Sequence, residues 1–226
     1  MSKYSILIPI HNEVNHIPLL LKSLKVFKDG GHEIIIIDDG SDDGSLNILE
    51  SCQNIKLIEI TKNKGKGHAV KEGLKRAKYK KVIIFDGDLE IHPSEISKLM
   101  ILNEHKGIKC ALGYRFETLN PLLSNYQWGN FMFTIFVNIL FNTNYKDVLC
   151  CAKSFYIDEI KVNGLKSIGF DIDIELLLML AFNSKSSKIH QSLGYYHRRT
   201  GLEGKKLKIS DGWLILHRII KMIQFL

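Results

Sequence analysis

The sequence predicts a single α/β domain built on a mostly parallel sheet with helices on both faces. Three observations predict it. Short runs rich in isoleucine and valine alternate with helix-like stretches through the first half of the chain. The first four of those runs each end in polar, acidic or glycine-rich residues, which would share one rim of an open sheet, where ligands bind. The chain has 226 residues, 45% hydrophobic and 24% charged, enough for one sizeable core and unlike a disordered polypeptide.

The strands are predicted at YSILIPI (4–10), EIIIID (33–38), IKLIEI (55–60), KVIIFD (81–86) and KCALG (109–113). Between them, helices are predicted from Glu13 to Phe27, Gly44 to Ser51, Gly67 to Lys78 and Pro93 to His105. Pro93 suits a first helical turn, where its missing N–H leaves no bond unmade. In the second half, 124–141 reads as a helix with an apolar face and 150–156 as a short strand. A helix with acids near its start (170–183), a strand around 188–196, a Gly/Lys/Arg loop (198–208) and a terminal helix complete the chain.

Net charge is +7, and the excess is uneven: from Arg198 onward seven basic residues stand against Glu203 and Asp211, a net of +5 in 29 residues. Such a tail suits phosphates, acidic lipid headgroups or nucleic acid, or is a solvated basic surface. No aromatic RNA-binding signature and no DNA-binding motif accompanies it, so no nucleic-acid partner is expected. Cys52, Cys110, Cys150 and Cys151 have neither CxxC spacing nor a disulfide framework, and the N-terminus is unlike a signal peptide. A reducing, cytoplasmic setting is therefore predicted. The apolar stretch 131–141 is too short to cross a bilayer, and 213–226 is interrupted by His217, Arg218 and Lys221.

The strand exits carry the candidate chemistry. PIHNE contains no glycine, which excludes a dinucleotide-binding turn, and GKGHAVKEG lacks the ending of a phosphate loop. Its glycines would let backbone approach a nucleotide, with Lys64 or Lys66 facing negative charge. Asp86 and Asp88, separated by Gly87, would converge if the chain turned there. Two hard oxygen ligands without cysteine or paired histidine suit Mg²⁺ or Mn²⁺, with a substrate diphosphate and water completing the shell. His92 is a weaker candidate ligand.

PIHNE, IIIIDDGSDDGS, NKGKGHAVKEGL and FDGDLEIHP, in this order and spacing, resemble glycosyltransferase family 2, most closely its polyprenyl-phosphate glycosyltransferase and dolichol-phosphate mannosyltransferase branch. The resemblance continues through WGNFMFTIFVNILFNTNYKDVLCCAKSF and YYHRRTGLEGKKLKISDGW, so it covers nearly the whole chain. It implies a Rossmann-like GT-A fold and inverting transfer of a sugar from a UDP- or GDP-sugar. Residues 1–115 would form the nucleotide-sugar half, and 116–226 the acceptor half with its basic loop and C-terminal amphipathic helix.

By the same resemblance, Pro9, Asn12, Glu13, Asp38, Asp39, Lys66, Gly67, Asp86 and Gly87 would surround the nucleotide sugar. Asp86 and Asp88 would hold the metal, Glu90 fills an acidic slot just beyond, and Arg115, in GYRFE, would bind the sugar or an acceptor phosphate. Lys153, Arg198, Arg199, Lys205 and Lys206 would grip phosphate. Asp88, Asp173, Glu175 and Arg115 are the candidate catalytic residues, with Asp171 at a more variable position.

A sugar hydroxyl acceptor needs a carboxylate base. A phosphate monoester, with a second pKa of about 6, is already largely anionic, so Asp173 and Glu175 would then orient the site. Helix-start acids also favour the helix dipole. The expected acceptor is a polyprenyl phosphate at the inner membrane face. The alternatives are a saccharide hydroxyl or, more remotely, a non-catalytic nucleotide- or nucleic-acid-binding domain. CCAK (150–153) departs from the relatives' TCYK, placing Cys150 beside the acceptor region. The terminal helix would present Trp213, Leu216, Ile220 and Ile223 to a membrane surface, with His217, Arg218, Lys221 and Gln224 largely opposite, or would pack on the sheet.

Overall fold

All seven predicted strands form, and they join one sheet. The computed structural model describes residues 2–53, 55–116, 124–183, 187–194, 196–199, 206, 208 and 210–225. The strands are β1 (Tyr4–Ile10), β2 (Glu33–Asp39), β3 (Lys56–Ile60), β4 (Lys81–Ile84), β5 (Ile108–Tyr114), β6 (Lys153–Tyr156) and β7 (Ser187–Ser192). Their order is β3-β2-β1-β4-β6-β5-β7. Pairing is parallel except where β6 runs antiparallel to both β4 and β5.

Period-two alternation explains why the sheet needs cover on both faces. Leu7, Ile35, Ile37, Val82 and Ile84 face one apolar layer, built with the helices α3 (Lys66–Arg76), α5 (Asn125–Phe141), α6 (Ile172–Asn183) and α7 (Asp211–Met222). Ile6, Ile8, Ile34, Ile36 and Ile83 face the other, packed by α1 (Ile17–Asp29), α2 (Ser45–Glu50) and α4 (Ile96–Leu99). The isoleucines of β2 are at most 1% exposed, and each such burial contributes about 2 kcal/mol.

Two expectations change. The helix predicted over 93–105 shrinks to a 3₁₀ turn at Pro93–Glu95 and the four residues of α4. Asn103 and Ile108 exchange both backbone hydrogen bonds around a tight turn, and the Leu102 N–H donates to the Tyr4 hydroxyl, so the chain leaves the helix for β5. The terminal helix packs mainly on other helices. It lies on α5 and α6 through Ile215, Ile219 and Met222, leaving Trp213, Ile220 and Ile223 exposed. Arg218 turns inward and binds Asp171 at 3.1 Å. Among the described residues, no helix is long and apolar enough to cross a membrane.

Candidate active site

The exits of β1, β2, β3 and β4 open onto one cleft of about 390 Å³, within the usual range for small-molecule sites. From β1, Pro9, Ile10, His11 and Glu13 line it. At the end of β2 the strand period sends two adjacent aspartates to different tasks. Asp39 reaches the cleft, where its carboxylate accepts the Lys64 and Gly65 N–H groups at 2.9 and 2.7 Å. Asp38 is 0% exposed and accepts from the backbone N–H and hydroxyl of Ser41, closing the turn.

Beyond β4, Asp86, Gly87, Asp88 and Glu90 all line the cleft. Gly87 is required for a reason other than the predicted hinge: a Cβ there would sit 2.5 Å from the Ile10 side chain. The turn falls instead at Leu89, whose φ of 60° is unfavourable for a branched side chain, and strain of this kind collects at functional sites. Asp88 is half-buried, and its carboxylate accepts the Glu90 N–H at 3.0 Å. Burial, then the charges of Asp86, Glu90 and Glu13, push its pKa up to about 7.

The second half supplies cations and one more acid. The Lys66 ammonium lies 2.8 Å from the Asp86 carboxylate and 2.9 Å from Asp173, joining the two halves across 107 residues of chain. The two carboxylates overcome the effect of burial and hold Lys66 firmly protonated, its pKa well above the ordinary value. One oxygen of Asp173 is buried without a hydrogen-bond partner, as is the Nη1 of Arg198. Arg198 lies over the Tyr126 ring and donates to the Tyr196 hydroxyl. Arg199 reaches Glu13 at 2.9 Å, and Lys206 binds the same carboxylate.

Arg115 is held by Asp147, which accepts its Nε at 2.8 Å and its Nη2 at 2.9 Å, while Asn130 of α5 donates to the same aspartate at 2.7 Å. Those contacts keep the Asp147 carboxyl below its usual range despite burial. Asn130 and Asp147 both lie in the stretch that carries the family resemblance, and neither is among the predicted site residues. Their effect depends on a fold that brings α5 against the 142–152 segment. His11, Leu149, Phe170 and Asp211 are further lining residues that the sequence pattern did not single out.

Twelve of the predicted site residues thus meet in the cleft: Pro9, Glu13, Asp39, Lys66, Asp86, Gly87, Asp88, Arg115, Asp173, Arg198, Arg199 and Lys206. Five others do different work. Asn12 pairs with Asp42, and Asp38 braces its turn. Gly67 packs where a Cβ would stand 2.6 Å from the Ser167 carbonyl. Lys153 is 1% exposed, does not line the cleft, and its ammonium donates to the Cys150 carbonyl. Glu175 faces away from the cleft and accepts the Lys166 N–H at 2.9 Å and the Ser167 N–H at 2.8 Å. His92 caps the turn at Ser94 and does not line the cleft. Lys205 lies outside the described residues.

The model of the family described as "Glycosyl transferase family 2" matches residues 5–163. The chain belongs to glycosyltransferase family 2. It is a glycosyltransferase with the GT-A fold. An uncharacterised protein of Methanocaldococcus jannaschii is 30% identical over 81% of this chain and 83% of that protein. The undecaprenyl-phosphate 4-deoxy-4-formamido-L-arabinose transferase of Proteus mirabilis is 35% identical over 112 residues, 46% of this chain and 34% of that enzyme. The chain thus spans about a third of that transferase's length. In structure, glucosyl-3-phosphoglycerate synthase from Mycobacterium tuberculosis, solved with Mn²⁺, UDP and glucosyl-3-phosphoglycerate, superposes with a TM-score of 0.77. That likeness has 16% identity and covers 99% of this chain and 80% of the synthase.

Proposed function

We propose that this family 2 enzyme moves a sugar, with inversion, from a UDP- or GDP-sugar to a polyprenyl phosphate, working peripherally at the cytoplasmic face of a membrane. The observation that carries the donor side is the environment of Asp88. A carboxylate raised toward neutrality by burial and by three neighbouring acids is a place where a cation relieves repulsion. Among the described residues no group of three or more His, Cys, Asp or Glu side chains is placed to hold a metal ion by itself. Two aspartates with open remaining positions fit Mg²⁺ or Mn²⁺, which take further ligands from phosphate and water. Asp86 and Asp88 would hold the ion, which when bound would supply Lewis-acid stabilisation of the leaving diphosphate.

The chain's own groups divide the remaining work. Glu13 and Asp39 border the space where the nucleoside fits. Lys66 and the cationic rim offset the diphosphate charge, and the buried, unpartnered Nη1 of Arg198 would donate to an anionic oxygen.

Two features favour a phosphate acceptor over a hydroxyl. Glu175 is committed to backbone N–H groups, and Asp173 is already tied to the Lys66 ammonium, leaving little carboxylate free to take a proton. Several cations line the same cleft, and a phosphate acceptor uses those and needs no base. Of these two acids, only Asp173, through its unpartnered oxygen, could serve a saccharide acceptor.

The test is a panel of UDP- and GDP-sugars with Mn²⁺ or Mg²⁺ and a short polyprenyl phosphate, read by product mass. A glycosyl phospholipid is expected. Transfer only to a saccharide hydroxyl would replace the acceptor reading, and no sugar transfer to any acceptor would sink the reading.

A further inference from the structure

The strongest feature outside the cleft is the outer face of α5. This helix contains no Asp, Glu, Lys or Arg over its 17 residues. Its inner face is set by Asn130, Thr134, Val137 and Phe141, spaced 4, 3 and 4. Offset by two residues, which is about 200° around a helix, Trp128, Met132, Ile135 and Ile139 form a second stripe at the same spacing, with Phe136 beside it. These side chains are 55%, 43%, 38% and 77% exposed, and Phe136 is 37% exposed. A solvated helix carries polar residues on this side.

The surroundings of the stripe indicate what covers it. The neighbouring α7 adds Trp213, Leu214 and Ile220, at 74%, 50% and 51% exposure. It lies close enough that a methyl on Gly212 would be 3.8 Å from Phe133 of α5. Beside these apolar groups, Lys208, His217 and Lys221 are exposed, whereas Asp211, the acid of α7, accepts the Lys208 N–H and borders the cleft. Apolar and tryptophan side chains fringed by two lysines, without exposed acids on the same helices, complement an anionic lipid surface.

We infer that the outer face of α5, with α7 beside it, is a docking face for an anionic bilayer surface. The inference deepens the proposed function by naming the surface that would present the acceptor. On its inner side the same helix holds the Asn130–Asp147–Arg115 chain, and its Tyr126 lies under Arg198. A phosphate arriving from the lipid layer would thus meet the two arginines next to the helix that rests on that layer.

The test is sedimentation of the purified chain with vesicles of phosphatidylglycerol and phosphatidylcholine, beside vesicles of phosphatidylcholine alone. Binding to the anionic vesicles that weakens with salt is expected. A variant with serine at Trp128, Met132, Ile135 and Ile139 should lose about tenfold or more of it. The single Ile139→Lys variant, at the most exposed of these positions, guards against misfolding and should lose a smaller part. Both variants should keep the melting shift produced by UDP or GDP with Mn²⁺, since none of the changed residues touches the cleft. Wild-type chain that ignores anionic vesicles, or a quadruple variant that binds them as well as wild type, overturns the inference. So does a wild-type dimer that becomes monomeric in the quadruple variant without any vesicle binding, because a second copy would then cover the face. Vesicle binding needs no turnover, so its presence without transfer to polyprenyl phosphate would remove the acceptor reading alone.

Discussion

Asp88 lines the cleft and Asp147 lies buried behind its Arg115, and the two acids stand in opposite conditions. Asp147 accepts four hydrogen bonds, three of them from Arg115 and one from Asn130, and its carboxyl is held below the ordinary range. Asp88 accepts one backbone N–H, faces three other acids, and is pushed up to about 7. The difference separates acids that build the site from an acid available to a ligand. Glu175 belongs with Asp147, since backbone N–H groups occupy its oxygens. Asp173 stands between, with one oxygen on Lys66 and the other unpartnered.

The largest expected effect breaks the saturated side. Asp147→Ala leaves the Arg115 guanidinium buried without its partner and should cost about 3–5 kcal/mol in urea denaturation. A loss under about 1 kcal/mol would show that Asp147 does not anchor this wall. On the unsaturated side, Asp88→Asn should leave stability intact while sugar transfer falls about 100-fold or more. The Mn²⁺-dependent melting shift by UDP or GDP should disappear with it, and an undiminished shift would place the ion elsewhere.

Asp173 and Glu175 sharpen the division. Asp173→Asn should lower turnover by about tenfold with little change in stability, because a phosphate acceptor needs no proton removed. Glu175→Gln should instead destabilise by about 1–3 kcal/mol, leaving backbone donors unmatched, while turnover per folded molecule survives. Near-abolition of turnover in both folded variants would reverse the acceptor reading.

The pH dependence follows from the sign of the Asp88 shift. A carboxyl raised in the folded state holds its proton between roughly pH 4 and 7, so without a divalent cation folding stability falls as pH rises through that window. Wild type should therefore lose more melting temperature than Asp88→Asn between pH 5 and 8. Mn²⁺ should close the gap, since ion binding improves as Asp88 loses its proton near pH 7. The smallest effect is expected at Arg218: Arg218→Met should cost about 1 kcal/mol, by unpairing Asp171 at the start of α6.

The sequence alone determined the sheet, its helical cover and the convergence of four strand exits. Those features follow from short-range periodicity, and parallel topology then places every exit on one rim. Asp39, Asp86, Asp88 and Glu13 all line that rim. The sequence could not assign partners. Glu175 and Asp173 lie two residues apart near the start of one helix, where the local pattern treats them alike, yet one points at a backbone turn and the other at Lys66. Lys153 lies on a strand that is central, between β4 and β5, which its local sequence does not reveal. Arg115 meets Asp147 across 32 residues, Lys66 meets Asp173 across 107, and Arg199 meets Glu13 across 186. Charge at such separations is paired only by tertiary packing, because Coulomb attraction and desolvation depend on distance in space and not along the chain.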